Sequence, residues 1–90
     1  MSFDWNPDKA DANVRKHNGV TFEEACEVFD DDYAVVEADV AHSIGELRYR
    51  IIGASSRRLL FVVYTEREGD VIWIISAREV EDHEKEKYYV

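Results

Sequence analysis

The stretch that decides the fold is residues 58–78, RLLFVVYTEREGDVIWIISAR. Every residue from 59 to 64 is apolar or aromatic, which predicts a strand buried on both faces between two neighbouring strands. Residues 71–76 are nearly as apolar and rich in β-branched side chains, which favour a pleated, packed surface. The intervening EREGD (66–70) supplies a turn in which Gly69 can take a positive φ. We therefore predict a hairpin at the centre of a sheet.

Two further strands are predicted ahead of this hairpin, over residues 33–37 and 47–52, with a loop between them. Four strands with short connections form most simply an antiparallel meander with the helices on one face. Near the N-terminus, Phe3 and Trp5 flank Asp4 in an alternating pattern. This short pattern fits either an edge strand or an anchor onto the core.

Helices are predicted near both ends of the chain. Asn6 as N-cap and Pro7 at the first helical position start a helix that runs to residue 16. Thr21 and Glu24 fit a capping box at the start of a second helix, which ends before the acidic residues 30–32. A third helix, over residues 79–88, has little apolar surface. This order predicts an α+β fold with a mostly antiparallel sheet of four to five strands.

Length and composition limit the classes of protein. The 90 residues are 46% hydrophobic and 34% charged, which predicts one globular domain over residues 1–90. No apolar run approaches the roughly 20 residues of a membrane-spanning helix, and the first residues do not resemble a secretory signal. The single cysteine, Cys26, cannot form an internal disulfide. We therefore expect a cytoplasmic protein without a membrane partner.

The charge is unevenly distributed along the chain. The formal net charge of −9 argues against nucleic acid as a partner. Residues 46–78, however, hold six arginines and four acids, and the rest of the chain holds five bases and 16 acids. The planar guanidinium group suits phosphate or carboxylate recognition. Two interpretations remain open, namely that these arginines bind a ligand or that they pair with nearby acids on strand edges.

Motifs for common cofactors are absent from the sequence. There is no P-loop, GxGxxG, HExxH or CxxC pattern, so we expect no nucleotide, dinucleotide or zinc cofactor and no metal site. The acidic residues 30–32 favour a solvated turn over a metal site. The histidines 17, 42 and 83 each have a structural explanation, at a helix end, in a loop and on the surface. The residues taken singly therefore indicate no reaction class.

Several segments resemble the BrnT toxins of type II toxin–antitoxin systems. They are FDWNPDKADANVRKH (3–17), KHNGVTFEEACEVFDD (16–31), AHSIGELRYRIIGASSRRLLFVVYTER (41–67) and IWIISAREVEDHEKEKYY (72–89). The resemblance implies a RelE-like fold and a ribonuclease that arrests translation. It also implies a neutralising antitoxin of the BrnA type, whose ribbon-helix-helix domain binds the operator DNA, so that the toxin reaches DNA only through this partner.

The resemblance also implies a set of site residues and a reaction without a metal ion. In such a reaction a general base removes the proton of the RNA 2′-OH, and cations stabilise the phosphorane. Arg67 and Arg78 would hold the phosphate, and His17 or Glu66 would act as base or acid. The RNA-binding residues would be Lys16, which would steer the backbone, Arg48 in support, and Arg58.

Three features depart from the family pattern. Trp73 stands where these toxins commonly carry a basic residue, Asn18 is an extra residue after the KH pair, and the net charge of −9 is unusually acidic. Net negative charge slows association with RNA. The alternative function is therefore a catalytically weak toxin-like domain that binds the antitoxin and co-regulates its operon.

Overall fold

The computed structural model describes residues 1–89, and its centre is a five-stranded sheet in the order β1-β5-β4-β3-β2. The strands are β1 (Ser2–Asp4), β2 (Val35–Ala38), β3 (Arg48–Ala54), β4 (Leu59–Arg67) and β5 (Val71–Glu79). Strands β2 to β5 pair antiparallel, each with the next along the chain. Gly69, in the turn of the central hairpin, has φ +82°. The predicted meander and its hairpin are therefore confirmed.

Strand β1 makes the sheet mixed, because it pairs parallel to β5. The edge-strand interpretation of Phe3 is thus confirmed, but the sheet as a whole is mixed and not purely antiparallel. No short turn joins β1 to β5, so nothing in the connection forces an antiparallel direction. Because β1 ends where Asp4 meets Trp73, the later residues of β5 have no neighbouring strand on that side.

The sheet has two faces of different character. The helix face carries the main core, in which Val62, Ile74 and Ala77 pack against helix residues such as Phe22 and Val28. The opposite side, here called the arginine face, holds the alternate residues of the same strands, namely Arg48, Arg50, Phe61, Val63, Thr65, Arg67, Trp73, Ser76 and Arg78. Several of these are only half-buried. The prediction that residues 59–64 are buried on both faces is therefore only half correct.

The first helix, α1 (Pro7–Lys16), begins as predicted, with the Asn6 side chain accepting from the Asp8 and Lys9 amides. Its Asn13 is buried and reaches the free edge of β5. The Asn13 Nδ2 donates to the carbonyls of Ala77 at 2.7 Å and Val20 at 3.0 Å, and the Ala77 amide donates to Asn13 Oδ1 at 3.1 Å. This amide pairs with Ala77 as a neighbouring strand would.

The second helix, α2 (Phe22–Glu27), ends sooner than predicted and continues as a 3₁₀ turn, Val28–Asp30. The turn lies where Gly53 of β3 passes closely, since a Cβ on Gly53 would stand 3.0 Å from the Val28 Cβ. A second 3₁₀ turn, Val40–His42, occupies the predicted loop between β2 and β3. The predicted solvated turn at residues 30–32 is partly wrong, because half-buried Asp31 accepts from the Ala54 amide at 2.8 Å.

The third helix, α3 (Asp82–Tyr88), starts later than predicted because β5 continues to Glu79. It lies on the arginine face, so the prediction of all helices on one face is wrong. Side-chain hydrogen bonds hold it there, since the Lys87 Nζ donates to Glu37 at 2.9 Å and the Tyr88 hydroxyl donates to Asp31 at 2.6 Å. The latter bond raises the pKa of Tyr88 to about 12.

Glu24 does not complete the predicted capping box. The Thr21 hydroxyl accepts from the Glu24 amide at 3.0 Å, but the Glu24 carboxylate turns to Arg58 at the start of β4. The Arg58 Nη2 and Nε donate to its two oxygens at 2.8 and 3.0 Å. This pair, with Glu24 buried, ties α2 to the sheet and lowers the pKa of Glu24.

We predict that Asn13→Ala lowers the free energy of unfolding by about 2–4 kcal/mol, because the Ala77 amide and two carbonyls lose buried partners. Urea unfolding monitored by circular dichroism measures this change. Asn18→Gly is the matched control, since it removes an exposed amide yet keeps the positive φ of 52° accessible. Its effect should stay below about 1 kcal/mol. Equal effects of the two substitutions would contradict the role given to Asn13.

We predict that Arg58→Gln lowers the free energy of unfolding by about 2–3 kcal/mol at pH 7, since Glu24 then lies buried without its cation. Arg58 lowers the folded-state pKa of Glu24, so this pair stabilises the fold above the ordinary glutamate pKa of about 4.3, and that contribution disappears as pH falls. The difference between wild type and Arg58→Gln should therefore narrow towards pH 3.

Urea unfolding at pH 7 and near pH 3 measures this change. Arg57→Gln is the matched control, because Arg57 is the exposed neighbour in the same turn. It should cost less than about 0.5 kcal/mol at both pH values. A difference between wild type and Arg58→Gln that stays constant or widens in acid would be incompatible with this ion pair.

Candidate functional site

The arginine face gathers four guanidinium groups on one side of the sheet. Arg48 and Arg50 lie on β3, Arg67 on β4 and Arg78 on β5. They share this side because strand residues alternate between faces, and their cross-strand partners Thr65, Val63, Val71 and Phe61 obey the same alternation. The predicted residues Arg48, Arg67 and Arg78 therefore lie on a single surface.

At the hairpin end of this face, Arg67 stacks on an aromatic ring. Its guanidinium carbon lies 4.0 Å from the centre of the Trp73 ring. Its ion pair with Glu46 is long, at 3.5 Å, and both side chains are more than two-fifths exposed. Arg48 lies in the same cross-strand row as Trp73, because both are register partners of Thr65. Within residues 1–89, Arg48 has no ion-pair partner. This end combines available positive charge with an aromatic surface.

At the far end of β5, Arg78 is held from two sides. Its Nη1 and Nη2 each donate to a Glu84 oxygen at 2.8 Å, and its guanidinium carbon lies 4.2 Å from the centre of the Phe61 ring. Glu84 raises the pKa of Arg78, and Arg78 lowers the pKa of Glu84. A second carboxylate partner, Glu81, is distant at 3.8 Å. Arg78 is therefore oriented, but a ligand there must compete with Glu84.

Lys16 and His17 come to this same end of β5. Lys16 and Ser76 line one cleft between α1 and β5. Asn18, two residues after Lys16, donates to the Glu79 carboxylate at 2.9 Å. His17, between them, is half-buried and caps α1, with its amide donating to the Asn13 carbonyl at 2.8 Å. The predicted residues Lys16 and His17 thus lie at the end of β5 that carries Arg78, whose own side chain points to the arginine face.

The fold separates other members of the predicted set. The rings under Arg67 and Arg78 lie in register rows four residues apart along β4, which is roughly 13 Å of strand. With each guanidinium group on its own ring, the two arginines occupy different parts of the face. Glu66 pairs with Ile72 of the helix face and is exposed at the hairpin end, which leaves it on the other side of the sheet from Arg67. Glu66 and His17 therefore lie at opposite ends of β5.

Arg58 lies apart from the arginine face. Besides Glu24, it donates to the Glu79 carboxylate at 3.0 Å and to the Asn18 carbonyl. Its side chain is only 16% exposed. A role for Arg58 in binding RNA stays a prediction, and its contacts in this structure join α1, α2 and β5.

Sequence reasoning missed several residues that shape this surface. Glu84 gave no signal, since it lies on a helix with little apolar surface, yet it orients Arg78. Phe61 was assigned only to a buried strand, and Trp73 only to a departure from the family pattern. The period of two along β4 and β5 could have placed both aromatic rings beside arginines.

Within residues 1–89, no three or more His, Cys, Asp and Glu side chains cluster as a metal ion would require. None of the helices in this part of the chain is long and apolar enough to cross a membrane. A separate concavity beside the β3–β4 turn is lined by Glu27, Asp30 and Asp31, together with Ala54, Ser55 and Ser56. Its acids repel an anionic ligand, which leaves the arginine face as the candidate nucleic-acid surface.

Comparison with known proteins gives three findings. The crystal structure of the ribonuclease toxin BrnT from Brucella abortus superposes with a TM-score of 0.69 at 20% sequence identity, covering 91% of this chain and 99% of that one. This likeness supports the α+β fold with its mixed sheet. No curated protein sequence matches the chain.

The sequence profile of the family described as "Ribonuclease toxin, BrnT, of type II toxin-antitoxin system" matches residues 5–84. That span includes every candidate residue of the arginine face, as well as Lys16 and His17. The chain therefore belongs to the BrnT family, the ribonuclease toxins of type II toxin–antitoxin systems.

Proposed function

We propose that this ribonuclease toxin binds single-stranded RNA along the arginine face and cleaves it at the end formed by Lys16, His17 and Arg78. The observation that carries the proposal is the pairing of two arginines with two aromatic rings, Arg67 on Trp73 and Arg78 on Phe61. Proteins that bind single strands combine positive charge for the backbone with aromatic surfaces for the bases.

The proposed reaction is an attack of the RNA 2′-OH on the adjacent phosphorus. A base takes the hydroxyl proton, the O2′–P bond forms, the P–O5′ bond breaks, and an acid protonates the departing 5′-oxygen. Cations beside the phosphate stabilise the added negative charge of the phosphorane. The products are a 2′,3′-cyclic phosphate and a 5′-hydroxyl. DNA lacks the attacking group and would not be cleaved.

We assign Arg78 to the scissile phosphate and Arg67 with Arg48 to a flanking nucleotide. The two arginine–aromatic pairs lie in rows roughly 13 Å apart along β4, which supports different nucleotides for the two guanidinium groups. Trp73, below Arg67, would stack on the base of the flanking nucleotide. In this arrangement Trp73 offers stacking at a position where these toxins commonly carry a basic residue.

We assign the role of general base to His17. Histidine performs this role most often in enzymes, and a base must stand within hydrogen-bond reach of the proton it removes. His17 follows Lys16, whose side chain shares a cleft with Ser76, two residues before Arg78. Glu66 is the other candidate, but it lies at the hairpin end of β5, whereas Arg78 lies near the other end of that strand.

The partner implied by membership of a type II toxin–antitoxin family is an antitoxin. We propose an antitoxin of the BrnA type with a ribbon-helix-helix domain, encoded beside the toxin, through which the toxin reaches operator DNA. We also propose that the fold is RelE-like, that one domain spans residues 1–90, and that cleavage of cytoplasmic RNA inhibits translation.

We predict that the purified protein cleaves single-stranded RNA and that His17→Gln and the double variant Arg78→Gln/Glu84→Gln lower kcat at least about 100-fold. The double variant avoids a buried, unpaired Glu84. Arg67→Gln should mainly weaken binding of a 2′-deoxy substrate analogue, because Arg67 contacts a flanking nucleotide. Cleavage rates from gel electrophoresis and affinities from fluorescence anisotropy measure the two effects separately.

Three controls accompany this assay. Glu84→Gln alone leaves Arg78 in place and should retain cleavage, and Arg57→Gln removes an exposed arginine from the β3–β4 turn. Addition of the antitoxin encoded beside the toxin should suppress cleavage. Cleavage at the wild-type rate by both His17→Gln and the Arg78/Glu84 double variant would refute these assignments, and no cleavage by the wild type would favour the catalytically weak alternative.

A further inference from the structure

A lysine-lined cleft extends the arginine face towards α1. Lys9, Ala12, Asn13 and Lys16 recur at i, i+3, i+4 and i+7, so they share one side of the helix. That side faces β5 beyond the last residue paired with β1. Ile75, an extra residue in the register between β4 and β5, and Ser76 complete the cleft.

The charge of the cleft is exceptional for this protein. Two of its lining residues, Lys9 and Lys16, are lysines, and none of them is acidic. Neither lysine has an ion-pair partner within residues 1–89, although the chain has 20 acids and only 11 lysines and arginines. Two lysines without a neighbouring acid make this cleft locally positive, which favours an anionic ligand there.

The size of the cleft limits the ligand. Its volume is about 140 Å³, well below the roughly 300–1,000 Å³ of pockets that enclose drug-sized molecules. A phosphate group fits this limit, whereas an enclosed nucleoside does not. The lysine ammonium groups and the Ser76 hydroxyl can all donate hydrogen bonds to phosphate oxygens.

The position of the cleft relates it to the proposed site of cleavage. Ser76 and Arg78 are alternate residues of β5, which places their Cα atoms roughly 7 Å apart. We propose that Lys9, Lys16 and Ser76 bind a backbone phosphate of RNA next to the phosphate held by Arg78. This inference rests on the proposed function, and it adds Lys9 and Ser76 to the residues that position the substrate.

The experiment compares Lys9→Gln and Lys9→Gln/Lys16→Gln with Arg15→Gln, a matched control on α1 outside the cleft. The affinity for a short, 2′-O-methylated single-stranded RNA is measured at several salt concentrations by fluorescence anisotropy. Each phosphate contact on a single strand contributes a slope of about −0.7 in log affinity against log salt. The double variant should therefore lose about 0.7 from the slope, and Arg15→Gln should lose much less.

A second measurement separates this inference from the proposed function. Inorganic phosphate is titrated into ¹⁵N-labelled protein, and the amide signals of Ile75 and Ser76 are followed. They should shift in the wild type and in Arg15→Gln, and shift much less in the double variant. This result would support the phosphate site even if the wild type neither bound nor cleaved RNA.

Two outcomes would overturn the inference. One is that the wild type binds RNA and that the double variant and Arg15→Gln show the same salt slope. The other, if the wild type does not bind RNA, is the absence of any shift at Ile75 and Ser76 with phosphate. Unfolding of the double variant is not expected, because both lysines are exposed and glutamine is a good helix former.

Discussion

The pairing of the Asn13 amide with the backbone of Ala77 is the contact on which the arrangement of the site depends. β1 is too short to cover β5, and Asn13 supplies the donor and acceptor that a longer strand would have offered. A buried amide with every hydrogen bond satisfied permits only one position of α1 against the sheet. That position brings the end of α1, with Lys16 and His17, beside the last residues of β5. The same contact thus stabilises the fold and assembles the proposed catalytic end.

The acidity of the chain is compatible with an RNA-binding face because some of the acidic side chains hold arginines of that face in place. Glu84 orients Arg78, and Glu37 and Asp39 contact Arg50 at 3.4 and 3.6 Å. Paired arginines attract RNA less at long range, so we expect slower association than for a basic toxin. Stacking of a base on an aromatic ring depends little on the net charge of the protein, and Trp73 offers such a ring beside Arg67. In the proposed mode of binding, specific contacts compensate for weak electrostatic steering.

The sequence predicted the hairpin, three helices and an antiparallel meander because hydrophobic period and capping residues are local signals. It could not predict that α3 crosses to the arginine face, since this depends on partners such as Asp31 that are distant along the chain. The capping box at Glu24 failed for the same reason, because Arg58 offered its carboxylate a stronger partner than a backbone amide. The resemblance indicated the candidate site residues. Only the register of β4 and β5 shows that Arg67 and Arg78 lie near different ends of the arginine face.

The central claim is that RNA binds the arginine face, and the two tryptophans test it directly. Trp73 lies on that face, whereas Trp5 packs edge-on against Phe22 on the helix face, with 5.8 Å between ring centres. The measurement is a titration of ¹⁵N-labelled protein with 2′-O-methylated single-stranded RNA, following the two indole N–H signals. We predict a shift of the Trp73 signal and an unchanged Trp5 signal. A shift of Trp5 alone, or saturating binding that moves neither signal, would contradict the account.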